Sequence, residues 1–437
     1  MASTYFETIT SKHALQNHAG YLAPLYHRQQ HELPAASGWS AQELFASRVV
    51  VHHVRGGVLK HRISRSSSGF LKPPPKQSSA ELSKIITQLR PGDEDLTETE
   101  LIHRLGGTAG MFWAALLQFR RQHAAPVSGP VAADSNTEAN SDVSDLEMPD
   151  LDDDTQQHPG YIDSSKINVA SSSPTSDLYP SSSFTSDNAG HVPREEHAAW
   201  AISEDATVQL ASTFLRHALV HCPLQHFAAA GTPPQLLLEF SGIRRRMLAH
   251  FRDGALELEA TADGEVTLLR RNAMGRFVDR GQVLVLLEAK KRFKLVHEGR
   301  PVITDNVLGQ MVGEALTLRL SLGAAESGYF EDTIVVVAAT RQYLCFVSFY
   351  IPDAYVRKLH RGNVGNGEDG GPKREDDRDE DGEIECEEGD EGKGWEEEEE
   401  VITVRATDWL DLSTEHCRQL ACDNIAALVD WQLKKRG

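Results

Sequence analysis

Cysteine is scarce in this chain: five residues in 437, at Cys222, Cys345, Cys386, Cys417 and Cys422. None forms a CxxC pair and no spacing suits a disulfide framework, so the chain reads as reduced and intracellular, nuclear or cytoplasmic. Long apolar runs are also missing. No stretch reaches the roughly 18 residues that a membrane span needs, and no membrane partner is expected. The first twenty residues lack the apolar core of a signal peptide. There is no Gly-rich phosphate loop and no GxSxG elbow, which removes two common routes to phosphate binding and to a serine nucleophile. No internal repeat is present.

Two stretches have few basic residues. Residues 127–190 hold 12 acidic residues and one basic, within runs such as "SSSPTSDLYPSSSFTSD". Residues 361–400 hold 19 acidic and 5 basic, in "EDDRDEDGEIECEEGDEGKGWEEEEE". Such segments bury too little apolar surface to offset chain entropy, and both are expected to be disordered. The whole chain has a formal charge of −20, but without those two stretches it is +5. An acidic total therefore leaves room for a polyanion at a local basic cleft. The expected partners are a nucleic acid there and a protein through the acidic tracts. Nothing sets an oligomeric state.

The composition divides the chain into five parts. Residues 1–125 form a mixed or helical N-terminal region, and 126–195 a disordered Ser/Asp-rich linker. Residues 196–360 are the core, 361–400 a disordered acidic insertion, and 401–437 a strand and helix that complete the core. Within the core "EEHAAWAISEDATVQLASTFLRHALVHC" and "PQLLLEFSGIRRRMLAHF" have helical spacing. "ALELEATADGEVTLLRR" reads as two strands around an Asp263-Gly264 turn. "VLVLLEAKK" is a buried strand, "TDNVLGQMVGEALTLRLSLG" a capped helix, and "DTIVVVAATRQYLCFVSFYIP" two further strands. The predicted fold is α/β, a mixed central sheet flanked by helices.

The chemistry concentrates at the end of the buried strand. Glu288 and Lys290 are two apart, so both side chains leave the same face at the mouth of the core. Asp279 lies nine residues earlier, and a strand entry there could bring its carboxylate to Glu288. Two converging carboxylates repel unless a cation separates them. Mg²⁺ suits such a site because it takes oxygen ligands and needs only one or two carboxylates. A lysine beside it can orient a water and stabilise charge on a phosphate. Gln310 and Glu314, one turn apart on the following helix, could line the same cleft. Three other groupings carry less. His217 and His221 share a helix face but lack the H-E-x-x-H pattern of zinc proteases. His52, His53 and His61 stand near Arg55, Lys60 and Arg62 and suit a surface strand. Arg244, Arg245 and Arg246 are read as helix charges beside the cleft.

Asp279, the "EAK" of Glu288–Ala289–Lys290 and Gln310 in "GQMVGEAL" together resemble the PD-(D/E)XK nuclease superfamily, most closely the nuclease-like domains of fungal proteins. The resemblance spans roughly residues 200–435. It implies a restriction-endonuclease-like core and Mg²⁺- or Mn²⁺-dependent hydrolysis of DNA or RNA phosphodiesters. Asp279 and Glu288 would hold the metal, Lys290 would assist the attacking water, and Gln310 would complete the catalytic set. Val278 stands where the family has Pro, and Asp263 or Glu265 are alternatives for the first carboxylate. Glu239 is a candidate for the upstream helical acid of some members. The alternative is a catalytically inactive nuclease-like module that binds nucleic acid or a protein.

Overall fold

The structure, a computed structural model, describes residues 4–19, 22–27, 33–54, 80–124, 203–226, 235–251, 256–297, 299–321, 332–361 and 401–434. The tracts expected to be disordered lie outside these residues, apart from Arg361.

The helices in chain order are α1 (Tyr5–Thr8), α2 (Lys12–Ala19), α3 (Ala41–Ala46), α4 (Ala80–Ile86), α5 (Glu98–Leu105), α6 (Gly107–Ala124), α7 (Glu204–Val220), α8 (Pro223–His226), α9 (Asp305–Ser321), α10 (Asp353–Arg361) and α11 (Glu415–Lys434). The strands are β1 (Val49–His53), β2 (Leu236–Ser241), β3 (Arg245–Phe251), β4 (Leu256–Ala262), β5 (Gly264–Arg271), β6 (Phe277–Lys290), β7 (Val296–His297), β8 (Arg300–Pro301), β9 (Thr333–Thr340), β10 (Tyr343–Tyr350), β11 (Ile402–Ala406) and β12 (Leu410–Asp411).

Eight strands form one mixed sheet in the order β1-β11-β10-β9-β6-β5-β2, with β12 paired to β10. β2, β5 and β6 run antiparallel in turn; β6 and β9 are parallel, with α9 between them in the chain. Helices cover both faces, so the α/β class and the large mixed sheet agree with the expectation from sequence. One core lies between the sheet and the N-terminal segment, α9, α10 and the β3–β4 hairpin. The other lies between the sheet and α4, α5, α6, α7 and α11. Residues 1–125 contribute to both cores, and β1 adds a parallel edge to β11, which follows the acidic insertion.

β6 is buried on both faces. Leu286 enters the first core, and Val285, Leu287 and Ala289 the second. Leu286, Val285 and Leu287 each contribute roughly 1.5–3 kcal/mol by leaving water, so a one-residue slip of this strand is strongly disfavoured. The alternation is interrupted upstream. Val266 pairs with Val285 but Thr267 pairs with Val283, which leaves Leu284 as an extra residue. Val283 and Leu284 consequently face opposite to what strict alternation from Glu288 predicts.

Two local expectations are corrected. Residues 235–251, read as a helix, are β2 and β3. Leu238 and Phe240 bury around exposed Glu239, and Met247, Ala249 and Phe251 alternate with exposed residues. This is a period of two, interrupted at Ser241–Gly242. Nor is Asp263-Gly264 a hairpin turn. β4 pairs with β3, whereas β5 pairs with β2 and β6, so Asp263 is where the chain passes from the hairpin into the main sheet. Gly264 is required there: a Cβ would stand 2.9 Å from the Phe240 ring and 3.0 Å from the Ser241 carbonyl oxygen.

The N-terminal segment fixes α9. A Cβ on Gly309 would lie 2.9 Å from the Trp39 backbone, and one on Gly313 2.6 Å from the Ala36 Cβ. The Tyr5 amide donates to Asp305 Oδ1 at 2.7 Å. With that face of α9 held by glycines, the residues beside them, Gln310 and Glu314, point at the sheet.

On the other face His217 ties α7 to its neighbours. Its ring nitrogens lie 2.9 Å from the Glu81 carbonyl oxygen and 2.7 Å from Thr108 Oγ1. A carbonyl only accepts, so Nε2 carries the hydrogen and Nδ1 accepts from the hydroxyl. The ring is 1% exposed, and burial pushes its pKa down to about 4. The unfolded chain takes this proton more readily, so stability is lost as pH falls from about 6.5 through about 4. The loss at the low end is about 3 kcal/mol. Urea midpoints of wild type and His217→Leu across that range measure it; parallel slopes would refute it.

Candidate active site

The C-terminal end of β6 meets the start of β5 and the middle of α9. Asp263, at the head of β5, is stitched to β6 twice. Its amide donates to the Leu287 carbonyl at 2.9 Å, and its Oδ2 accepts from the Ala289 amide at 2.9 Å. This places its carboxylate alongside Glu288 and Lys290. Arg244, from the loop before β3, reaches Asp263 Oδ1 with Nε at 3.2 Å.

Glu288 is 3% exposed. Its Oε1 accepts from Lys290 Nζ at 2.6 Å and from Gln310 Nε2 at 2.6 Å. The same Gln310 amide nitrogen lies 3.0 Å from Glu314 Oε1. Glu314 is fully buried, and its Oε2 has no hydrogen-bond donor when both acids are ionised. A proton on Glu314 completes a bond to Glu288.

The electrostatics follow from burial. Burial pushes Glu288 up to about 7; Lys290 opposes this and Asp263 reinforces it. Burial raises Glu314 well above the ordinary carboxylate range, and the Glu288 charge raises it further. For Lys290 burial works downward, but the charge and hydrogen bond of Glu288 outweigh it, so its pKa is raised. At neutral pH the cluster is therefore an ammonium, an acid held protonated and a second acid near its midpoint, a pair that titrates as a unit.

Of the residues named from sequence, the structure brings Glu288, Lys290 and Gln310 together. It does not bring Asp279. That residue lies near the other end of β6, opposite Leu269. Nine residues of strand at about 3.3 Å each put roughly 30 Å between it and Glu288. Asp279 is exposed, and its Oδ1 accepts from the Gly281 amide at 2.7 Å, a local Asx turn at a bend in the strand. The carboxylate beside Glu288 is Asp263. Glu265 is instead paired with Arg245 at 2.8 Å.

Glu239 is exposed on β2 and is not a helical acid. The acid that a helix does bring is Glu204, in the first turn of α7, and it was missed. It is half-buried. Burial raises its pKa, with the Lys290 charge pulling it down and the Asp263 charge pushing it up. Acids are common in first turns for reasons of helix polarity, so its spacing carried no separate signal.

Among the described residues no three His, Cys, Asp or Glu side chains are placed to hold a metal ion together. No described helix is long and apolar enough to cross a membrane. Arg244, Arg245 and Arg246 lie on the β3 strand and the loop before it, each paired with a carboxylate: Asp263, Glu265 and Glu259. The four described cysteines are buried, and burial pushes Cys222 up to about 11 and Cys345 up to about 12, away from thiolate chemistry. Comparison with protein-family models, with curated proteins and with solved structures finds no match to this chain.

Proposed function

We propose that the protein is a metal-dependent phosphodiesterase of the PD-(D/E)XK nuclease type, acting on DNA or RNA. The observation that carries this reading is the meeting of Asp263, Glu288 and Lys290 at adjoining strand ends, with Gln310 holding Glu288 from α9. The strand order β2-β5-β6-β9-β10 supports a restriction-endonuclease-like core. In it α7 precedes the meander and α9 joins parallel β6 and β9.

The donor set fits Mg²⁺ or Mn²⁺. Asp263 and Glu288 are hard oxygen donors, and such ions need only one or two carboxylates because they keep several waters. Asp263 and Glu288 would hold the ion, which when bound lowers the pKa of a water and neutralises charge on the phosphate.

The side chains do the rest. Gln310 fixes the rotamer of Glu288, and the Ala289 amide fixes that of Asp263. Lys290, as an ammonium, orients the attacking water and stabilises the charge that grows on the phosphate oxygens. A water oxygen bonds to phosphorus and loses a proton to solvent, while the ester oxygen leaves with its electron pair and takes up a proton from solvent. The products are a phosphate monoester and an alcohol.

The test is cleavage of labelled single- and double-stranded DNA and RNA in Mg²⁺ or Mn²⁺ against EDTA. Wild type is expected to cut only with metal, and Glu288→Gln to cut about 10²-fold more slowly or worse. A wild-type chain that cuts none of the four substrates would replace this reading with that of an inactive binding module.

A further inference from the structure

Beyond Lys290 the chain runs through Lys291, Arg292, Phe293 and Lys294 into the small β7–β8 hairpin. Lys291, Arg292, Lys294, His297 and Arg300 are all exposed. The segment is firmly seated. Phe293 packs edge-on against Tyr343 and Trp409, with ring centroids 5.3 Å and 5.0 Å away. Tyr343 pairs with Thr340, the residue that also pairs with Lys290, so the anchor sits at the site's end of the sheet. The Val302 amide donates to the Leu295 carbonyl at 3.1 Å, and Gly299 turns the hairpin at φ 74°.

The charges on this segment are unbalanced. Over residues 291–300 the sequence has four Lys or Arg and one Glu. Among the described residues no carboxylate makes an ion pair with Lys291, Arg292, Lys294 or Arg300, whereas Arg244, Arg245 and Arg246 across the site are each paired. The charges nearest Lys294 are those of Lys290 and Arg292; burial first, and then these like charges, push its pKa down. A row of exposed cations with no ion-pair partner among the described residues is relieved by a polyanion.

We infer that the Lys291–Arg300 segment is a track along which the phosphates of a nucleic-acid strand run into the Glu288–Lys290 site. This rests on the phosphodiesterase reading above. A nucleic acid is favoured over an acidic protein because the row is continuous with Lys290, whose neighbours are arranged for phosphate chemistry. Cations that contact phosphates position a strand without reading its sequence, so single-stranded DNA and RNA should both bind.

The experiment measures binding apart from cleavage. The full chain is titrated into fluorescein-labelled single-stranded oligonucleotides in EDTA, by anisotropy, from 50 to 200 mM salt. Wild type should bind with a steep salt dependence. The variant K291Q/R292Q/R300Q should bind about 10-fold or more weakly, and its log–log salt slope should be smaller by about 2, since each lost single-strand phosphate contact removes about 0.7. The charge-matched variant R357Q/K358Q/R361Q on α10, which follows the far end of β10, should bind as wild type does. Equal affinity and slope for wild type and K291Q/R292Q/R300Q would overturn the track. So would displacement of the oligonucleotide by poly-glutamate as effectively, charge for charge, as by unlabelled strand. Cleavage that persists with no effect of the variant on binding sinks the track and keeps the phosphodiesterase reading. Binding that the variant removes, with no cleavage in any metal, keeps the track and sinks hydrolysis.

Discussion

Replacing Lys290 with methionine is expected to slow metal-dependent cleavage by about 10²–10³-fold while leaving the chain folded. Methionine keeps most of the stem and removes the ammonium, which in wild type lies 2.6 Å from Glu288 Oε1. Two effects follow. The phosphate loses the fixed positive charge that its developing charge would meet. Glu288 also loses the interaction that most opposes the upward push of burial, so its pKa rises above about 7. The residual activity should therefore reach its plateau at higher pH than in wild type, because more base is needed to ionise Glu288. A rate drop without this displacement of the acid limb would mean that Lys290 acts on substrate alone. Unchanged rates would remove Lys290 from the chemistry. Asp279→Asn serves as the comparison. With its carboxylate in an exposed turn at the other end of β6, it should cut at the wild-type rate.

The site was legible where its residues lie close in sequence on one regular element. Glu288 and Lys290 share a face because a strand repeats every two residues. Gln310 and Glu314 share one because a helix nearly repeats every four. The first carboxylate was legible only as a set of alternatives, because the choice depends on strand registration. A linear reading placed Asp279 near Glu288 by assuming a turn before the strand. β6 is instead 14 residues long and bends at Gly281 without reversing. Asp263 looked like half of an Asp-Gly hairpin turn. The antiparallel pair is β3 with β4, and the sequence between them contains a second Asp-Gly, Asp253-Gly254. Two such signals ten residues apart cannot be ranked without knowing which strands pair. Glu204 was not legible at all, since only the packing of α7 across β6 brings it near Lys290. The membership of residues 1–125 in both cores was hidden for the same reason. Short apolar segments such as "VVVHH" look alike whether they start a small domain or close the edge of a large sheet.

Glu314→Gln should make the protein more stable at pH 8 and leave its stability at pH 4 unchanged. Glu314 is fully buried, and both burial and the Glu288 charge hold its pKa well above the ordinary value. The folded state thus keeps a proton that the unfolded chain releases above about 4.5. A group raised in this way contributes its full stability below the unfolded pKa and loses it as pH rises toward the folded one. Each pH unit over which only the folded state holds the proton costs about 1.4 kcal/mol, and the neighbouring groups temper the sum. Glutamine is close in shape to the protonated acid. Its oxygen can still accept from Gln310, and its amide can donate to Glu288 as the acid proton does. It carries no proton to hold, so the cost vanishes, with an expected gain on the order of 1–3 kcal/mol at pH 8. His217 works in the opposite direction below pH 6.5, but it is common to both proteins and cancels in their difference. Urea midpoints at pH 4 and pH 8 decide the matter. A difference between variant and wild type that is the same at both values would mean that Glu314 enters the fold already ionised, and the proton placed between the two buried acids would have to be given up.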